Sequence, residues 1–281
     1  MTAGRTFCAL IVMVGVCAAT NVPVRAQSPD QATVKFSDPS RPGTVVVELF
    51  NGGITVRGVN RSDVLIDRRG DATPRRVRPA DPTATTGLRR LSSSGGYEVE
   101  EERNTIKINS AGPWSNASFD IQVPLKTNLR LNTVNGGEVV ITDVEGDVEV
   151  SNVNGAVTLT NVGGAIVANT MNGKVQATMT KVTPDKPMSF TSFNGVVDVT
   201  LPASVKANFK LRSDQGEVWS GFDLQTRPGP APSPQPTNRP GGRYRIEVNN
   251  AIYGAVNGGG AEIELRTFNG SVFLRKGQDL K

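Results

Sequence analysis

The sequence predicts an all-β chain. It is read as a β-solenoid built from nine-residue half-coils that pair into eighteen-residue coils, with an antiparallel β meander or sandwich as the alternative. Three observations lead there. Gly137, Gly146, Gly155, Gly164 and Gly173 recur at a strict spacing of nine. Apolar or small residues follow each glycine at +2, +4 and +7, as in Val148, Val150 and Val153 or Val157, Leu159 and Val162. Polar residues such as Asp147, Glu149, Thr158 and Thr160 fill the places between, which is the period of two of a half-buried strand.

Each part of the nonapeptide has a local reason. The +2 and +4 pair makes a short strand with one inward face. Alternation fails between +4 and +7, where Thr142-Asp143, Ser151-Asn152, Thr160-Asn161 and Asn169-Thr170 stand. Asx and Ser/Thr side chains bond nearby backbone amides, so these pairs mark a corner. The glycine is a second corner, preceded by asparagine in Asn154-Gly155 and Asn172-Gly173. All three +7 side chains of a run such as Val153, Val162 and Met171 are expected to point inward. Three small aliphatic side chains do not offset the ordering of nine residues, so one unit is stable only when stacked on others. Two corner types recurring in register favour coils with parallel ladders; Asn-Gly hairpins would give the meander.

The same offsets return at lower fidelity. Asn51-Gly52 is followed by Ile54, Val56 and Val59, Asn194-Gly195 by Val197 and Val199, and Asn269-Gly270 by Val272 and Leu274. A longer duplication overlays Asp120-Ile121-Gln122-Val123-Pro124 on Asp198-Val199-Thr200-Leu201-Pro202. It continues with Lys126, Asn128, Leu131, Thr133 and Gly136 against Lys206, Asn208, Leu211, Ser213 and Gly216. One supersecondary unit is therefore used twice, each copy with a proline at a strand end, where a ladder can lose a donor. Tyr97-Glu98-Val99-Glu100 and Thr105-Ile106-Lys107-Ile108 alternate around a turn and predict a hairpin.

Repeated h-x-G-x-V-x-V-x-N-V units, the leading run IQVPLKTNLRLNTVNG and the closing run IELRTFNGSVFL resemble the bacterial putative-adhesin β-strand-repeat family, a domain of unknown function. The resemblance covers roughly 119–276, with 44–66 as a weaker N-terminal part. It implies an exported, envelope-associated β-solenoid. The family has no established catalytic residues to carry over.

The chain divides into six stretches. Residues 1–26 read as a signal peptide: Arg5 supplies the positive start, Phe7 to Ala19 the apolar run, and cleavage is expected between Ala26 and Gln27. The apolar run is too short to cross a ~30 Å hydrocarbon core. Acylation at Cys17 competes poorly, because the bulky Val16 precedes it. Strands of the β domain are expected over 27–66. Residues 67–96 read as an Arg-rich mobile insertion, with seven arginines against three aspartates. The β-strand-repeat domain proper occupies 97–225. Residues 226–243 form a Pro-rich loop, with six prolines between 228 and 240. Strands of the same domain return over 244–281.

Composition removes several function classes. The chain has no histidine, and its two cysteines are Cys8 and Cys17. Ser-His and Cys-His nucleophiles, His-ligated metals, disulfide frameworks and thiolate metal sites are thus excluded from the chain after Ala26. A net charge of +5 without aromatics between the basic residues does not describe a nucleic-acid surface, and no later apolar run is long enough to span a membrane. Asn257-Gly258-Gly259-Gly260 lacks the Lys-Ser/Thr of a phosphate loop, and no serine sits in G-x-S-x-G. Glu138, Asp143, Glu145, Asp147 and Glu149 crowd twelve residues with five acids, but an acid in every repeat, as a calcium nonapeptide needs, is missing. They read as a solvated face. No catalytic, cofactor or metal site is expected. Trp114 and Trp219 are the only tryptophans; each is either a sugar-stacking platform or, preferred here, an end-cap over the core.

The function expected is that of a non-catalytic, exported binding or adhesin-like module that contacts an envelope polysaccharide, a lipid surface or a protein. One alternative is a structural or stress-signalling accessory that touches only envelope proteins. A minor one is a carboxylate-pair polysaccharide hydrolase or lyase.

Overall fold

The structure is a computed structural model that describes residues 30–70, 97–110, 117–135, 137–229, 235–236, 244–245 and 251–278. The expected cleavage site at Ala26 and Gln27, Cys17, Trp114 and most of the Arg-rich and Pro-rich stretches lie outside them. Asp67, Arg68, Arg69 and Gly70, placed in the insertion by the sequence, end a strand instead.

Every regular element among the described residues is a strand. In chain order these are β1 (Gln31–Lys35), β2 (Gly43–Asn51), β3 (Ile54–Val59), β4 (Asp63–Gly70), β5 (Tyr97–Glu102), β6 (Thr105–Ser110), β7 (Ala117–Pro124) and β8 (Thr127–Asn135). The repeats supply β9 (Val139–Thr142), β10 (Val148–Asn154), β11 (Val157–Gly164), β12 (Ile166–Asn172), β13 (Val175–Val182), β14 (Met188–Asn194) and β15 (Val197–Leu201). Then come β16 (Ala207–Ser213), β17 (Val218–Ser220), β18 (Gln225–Arg227), β19 (Gln235–Pro236), β20 (Tyr244–Arg245), β21 (Ile252–Val256), β22 (Ala261–Asn269) and β23 (Val272–Lys276).

The all-β class holds. Two large mixed sheets, neither closed, face each other across one core. Sheet A runs β1-β4-β7-β3-β9-β11-β13-β15-β23-β17, and sheet B runs β18-β21-β16-β22-β14-β12-β10-β8-β2-β6-β5. In layers this is the sandwich of the alternative reading. Through the repeats, neighbouring strands are parallel. Val148 pairs with Ile166 and Val157 with Val175, eighteen residues on in each case. Antiparallel pairs occupy the two ends: β1 with β4, β4 with β7 and β5 with β6 at one, β16 with β21 and β18 with β21 at the other.

From β6 to β18 successive strands alternate between the sheets, and here, as in β2/β3 and β22/β23, a strand of sheet B and the following strand of sheet A form one rung. In the middle, rungs β8/β9, β10/β11, β12/β13 and β14/β15 stack in chain order. At the ends the order changes. Rung β2/β3 lies between β6/β7 and β8/β9, and rung β22/β23 lies between β14/β15 and β16/β17. The duplicated sequence unit is the connection that skips a place: β7 to β8 through Pro124, and β15 to β16 through Pro202. Each skipped place is filled by a rung from one end of the described strands.

Burial follows the +2 and +4 rule. Val148, Val150, Val157, Leu159, Ile166, Ala168, Val175 and Ala177 are all buried in one cluster that draws on both sheets. The +7 position behaves in two ways, which corrects the single inward face expected. Val144 and Val162, at the corner that leads from sheet A to sheet B, are buried; Val153 is half-buried and Met171 is exposed. At the corner from B to A the inward place belongs to the preceding polar residue. Thr133, Asn152, Thr170, Ser192 and Thr267 are buried there.

Each of these side chains donates to a glycine carbonyl in the rung below. Thr170 Oγ1 reaches Gly155 at 2.9 Å, Ser192 Oγ reaches Gly173 at 2.8 Å and Thr267 Oγ1 reaches Gly195 at 2.7 Å. The glycines stack so closely that a Cβ on Gly173 would overlap the Gly155 carbonyl. That contact, together with the positive φ of Gly52, Gly155, Gly195 and Gly270, is why this column is glycine.

Candidate functional site

Stacked rungs put identical positions side by side, so the outer faces carry rows of side chains about 4.8 Å apart. On sheet A one row is threonine: Thr142, Thr160, Thr178 and Thr200 are register partners in succession. Arg57 adjoins Thr142 and Arg275 adjoins Thr200, so an arginine stands at either end. The neighbouring row runs Thr158, Gln176, Asp198, Phe273 and Trp219. It turns from polar to aromatic where rung β22/β23 enters.

Trp219 is 56% exposed, the most open of the large apolar side chains among the described residues. Its Nε1 donates to Glu217 Oε2 at 3.2 Å. It is therefore not the end-cap expected of it. The core at that end is closed by Phe209 and Phe222, whose ring centroids lie 6.4 Å apart. Beside Trp219, the Arg275 guanidinium lies 5.3 Å from the Phe273 ring centre and donates to Asp198 Oδ1 at 2.7 Å. That bond to Asp198 raises the Arg275 pKa further above its ordinary value. Indole, guanidinium, carboxylate and hydroxyl row together offer a flat surface with one apolar face and directed polar groups, a combination that suits a sugar chain.

Sheet B has a different outer face. Phe50, Val134, Val153, Met171, Phe193 and Phe268 lie side by side on six adjacent strands, each one residue before an asparagine of the row Asn51, Asn135, Asn154, Asn172, Asn194 and Asn269. Phe50, Met171, Phe193 and Phe268 are 45%, 53%, 50% and 37% exposed. Phe193 and Phe268 stack at 4.8 Å with ring planes 3° apart. The asparagines bond along the row, with Asn172 Nδ2 donating to Asn154 Oδ1 and Asn194 Nδ2 to Asn172 Oδ1, both at 2.8 Å. Sequence reasoning missed this stripe because it treated every +7 residue as core. The signal was present: a Thr, Ser or Asn, then an apolar residue, then Asn-Gly recurs at 170–173, 192–195 and 267–270.

The five crowded acids do not converge. Glu138 accepts from Thr158 Oγ1 at 2.9 Å, Asp143 from Asn161 Nδ2 at 3.1 Å, and Asp147 pairs with Lys186 at 2.7 Å. Glu149 lies 3.4 Å from Arg130. The Lys186 hydrogen bond holds the Asp147 carboxyl below its ordinary pKa. Among the described residues no three His, Cys, Asp or Glu side chains are grouped as a metal site would need, and no helix is long and apolar enough to cross a membrane.

No family model matches the sequence, and no curated protein matches it. Solved structures do. A putative cell adhesion protein from Clostridium sporogenes matches with a TM-score of 0.44 and 10% identity, over 89% of this chain and 100% of that one. A putative adhesin from Bacteroides fragilis matches with a TM-score of 0.29 and 10% identity, over 87% of this chain and 95% of that one. The structural neighbours are putative adhesins. The word describes those two proteins.

Proposed function

We propose that this chain is an exported, non-catalytic β-solenoid whose eighteen-residue coils are the rungs, and that it binds an envelope polysaccharide through the outer face of sheet A. The observation that carries the reading is Trp219, exposed on a flat strand row and continued by Phe273, Asp198 and Gln176. An exposed indole continued by a second aromatic ring, beside ordered hydrogen-bonding groups, provides stacking for a sugar ring. Export rests on the signal-peptide pattern of residues 1–26. Absence of histidine and dispersal of the acids support a binding rather than a catalytic role.

The test is a glycan and lipid array probed with residues 27–281 at low and at physiological salt. Saturable glycan binding that persists at physiological salt and falls at least about tenfold in Trp219→Ala, with the melting temperature unchanged, is the expected result. Binding that vanishes with salt would assign the contact to exposed arginines instead. Turnover of a glycan or ester, lost on Asp or Glu substitution, would restore the hydrolase or lyase. A second reading, an accessory that contacts only proteins, is favoured by the apolar stripe on sheet B.

A further inference from the structure

The sheet B stripe lies on the sheet opposite the proposed sugar contact and runs over six strands, about 24 Å. Beside it, one step further from the asparagine corner, runs a polar row in register: Glu48, Asn132, Ser151, Asn169, Thr191 and Arg266. The row has an acid at one end, a base at the other and small neutral side chains between. Both charged ends are on exposed positions, and the ion pair of Arg266 with Asp214 in its own chain is long, at 4.0 Å.

We propose that the outer face of sheet B docks a second copy of this chain, face to face, about a two-fold axis that runs along the strands between β10 and β12. Such an axis reverses the order of strands and keeps their direction. Stripe then lies on stripe, with Val153 against Met171, Val134 against Phe193 and Phe50 against Phe268 of the second copy. The polar rows superpose as well. Glu48 of each copy meets Arg266 of the other, Asn132 meets Thr191 and Ser151 meets Asn169.

An isologous contact requires a surface complementary to itself under one rotation, and this row meets that condition in both charge and size. A two-fold along the stripe would instead set Glu48 and Arg266 against asparagines, so the charges select the first axis. Further out on the face, Lys210 is paired with Glu264 at 2.8 Å and Lys107 stands opposite Glu100 in register; each is balanced within its own chain.

The experiment is sedimentation equilibrium of residues 27–281, with melting curves as a control. Wild type is expected to dimerise reversibly. Met171→Asp, at an exposed position, should keep the melting curve of the monomer and weaken association at least about tenfold. Glu48→Arg should weaken it similarly by setting arginine against arginine, and Glu48→Arg with Arg266→Glu should restore it. A wild type that stays monomeric, or a dimer unmoved by Met171→Asp, would overturn the proposal. A dimer that Met171→Asp breaks and Glu48→Arg does not would overturn the axis. Glycan binding by Met171→Asp is expected to match wild type, so failure here is distinguishable from failure of the sugar contact.

Discussion

The middle of the molecule and its two ends are made of the same rungs but assembled differently. From Val139 to Leu201 each rung lies on the one before it in sequence; at both ends a rung is inserted between two others. In the middle, therefore, neighbours in space are close in sequence, and the outward rows can be read from the spacing. At the ends, neighbours come from opposite parts of the chain. Asp198 touches Phe273, and Phe193 stacks on Phe268, only because β22 and β23 occupy the places that β15 to β16 skips. Both proposed contact surfaces run across such an inserted rung.

Core charge breaks the comparison hardest. Leu159→Asp puts an unpaired carboxylate at a buried position in the middle and is expected to cost several kcal/mol and unfold adjacent rungs together, seen as loss of the cooperative melt. Leu274→Asp makes the same change in the inserted rung. Hydrogen exchange should then show β16, β17 and β22 deprotected while β10 to β13 stay protected.

A smaller effect sharpens the comparison at the corner shared by all rungs. Thr170→Val and Thr267→Val each leave a glycine carbonyl without its buried donor, and each should lower stability by about 1–3 kcal/mol in denaturant titration. Asn152 is the odd member of this column. Its Nδ2 donates to Gly137 O at 2.9 Å, but its Oδ1 is buried with no partner among the described residues. Asn152→Thr should therefore raise stability, by about 1 kcal/mol.

Acid should produce the smallest effect. Asp147 bonded to Lys186, and Asp63 bonded to Arg61, have carboxyl pKa values below the ordinary 3.8. Their folded forms favour the ionised state, so their contribution is present above the ordinary value and is lost as pH falls through the lowered one. Melting temperatures between about pH 5 and pH 2 should decline less steeply in Asp147→Asn, and only slightly so, because the pair is half exposed.

Much of this was legible in the sequence. Strand class, the nine-residue rhythm and the inward +2 and +4 residues follow from period two and from glycine columns. The duplicated unit was legible too, but not its meaning. Spacing tells which residues pair well; it does not tell which rung arrives to fill a skipped place. The stripe stayed hidden for a different reason. Val153 and Met171 have the apolar character of core residues, and only the buried Asn152 and Thr170 before them turn them outward.

Insertion of the end rungs is the claim on which both surfaces depend, and engineered cysteines test it directly, because the chain after Cys17 has none of its own. Asp198 and Phe273 are register partners, as are Phe273 and Trp219. Residues paired on adjacent strands stand near enough for a disulfide, whereas residues two strands apart exceed its ~7 Å limit. Asp198→Cys with Phe273→Cys should cross-link on mild oxidation, and Asp198→Cys with Trp219→Cys should not. Cross-linking of the second pair and not the first would place β17 directly against β15, contradict the inserted rung, and remove the continuity of both faces.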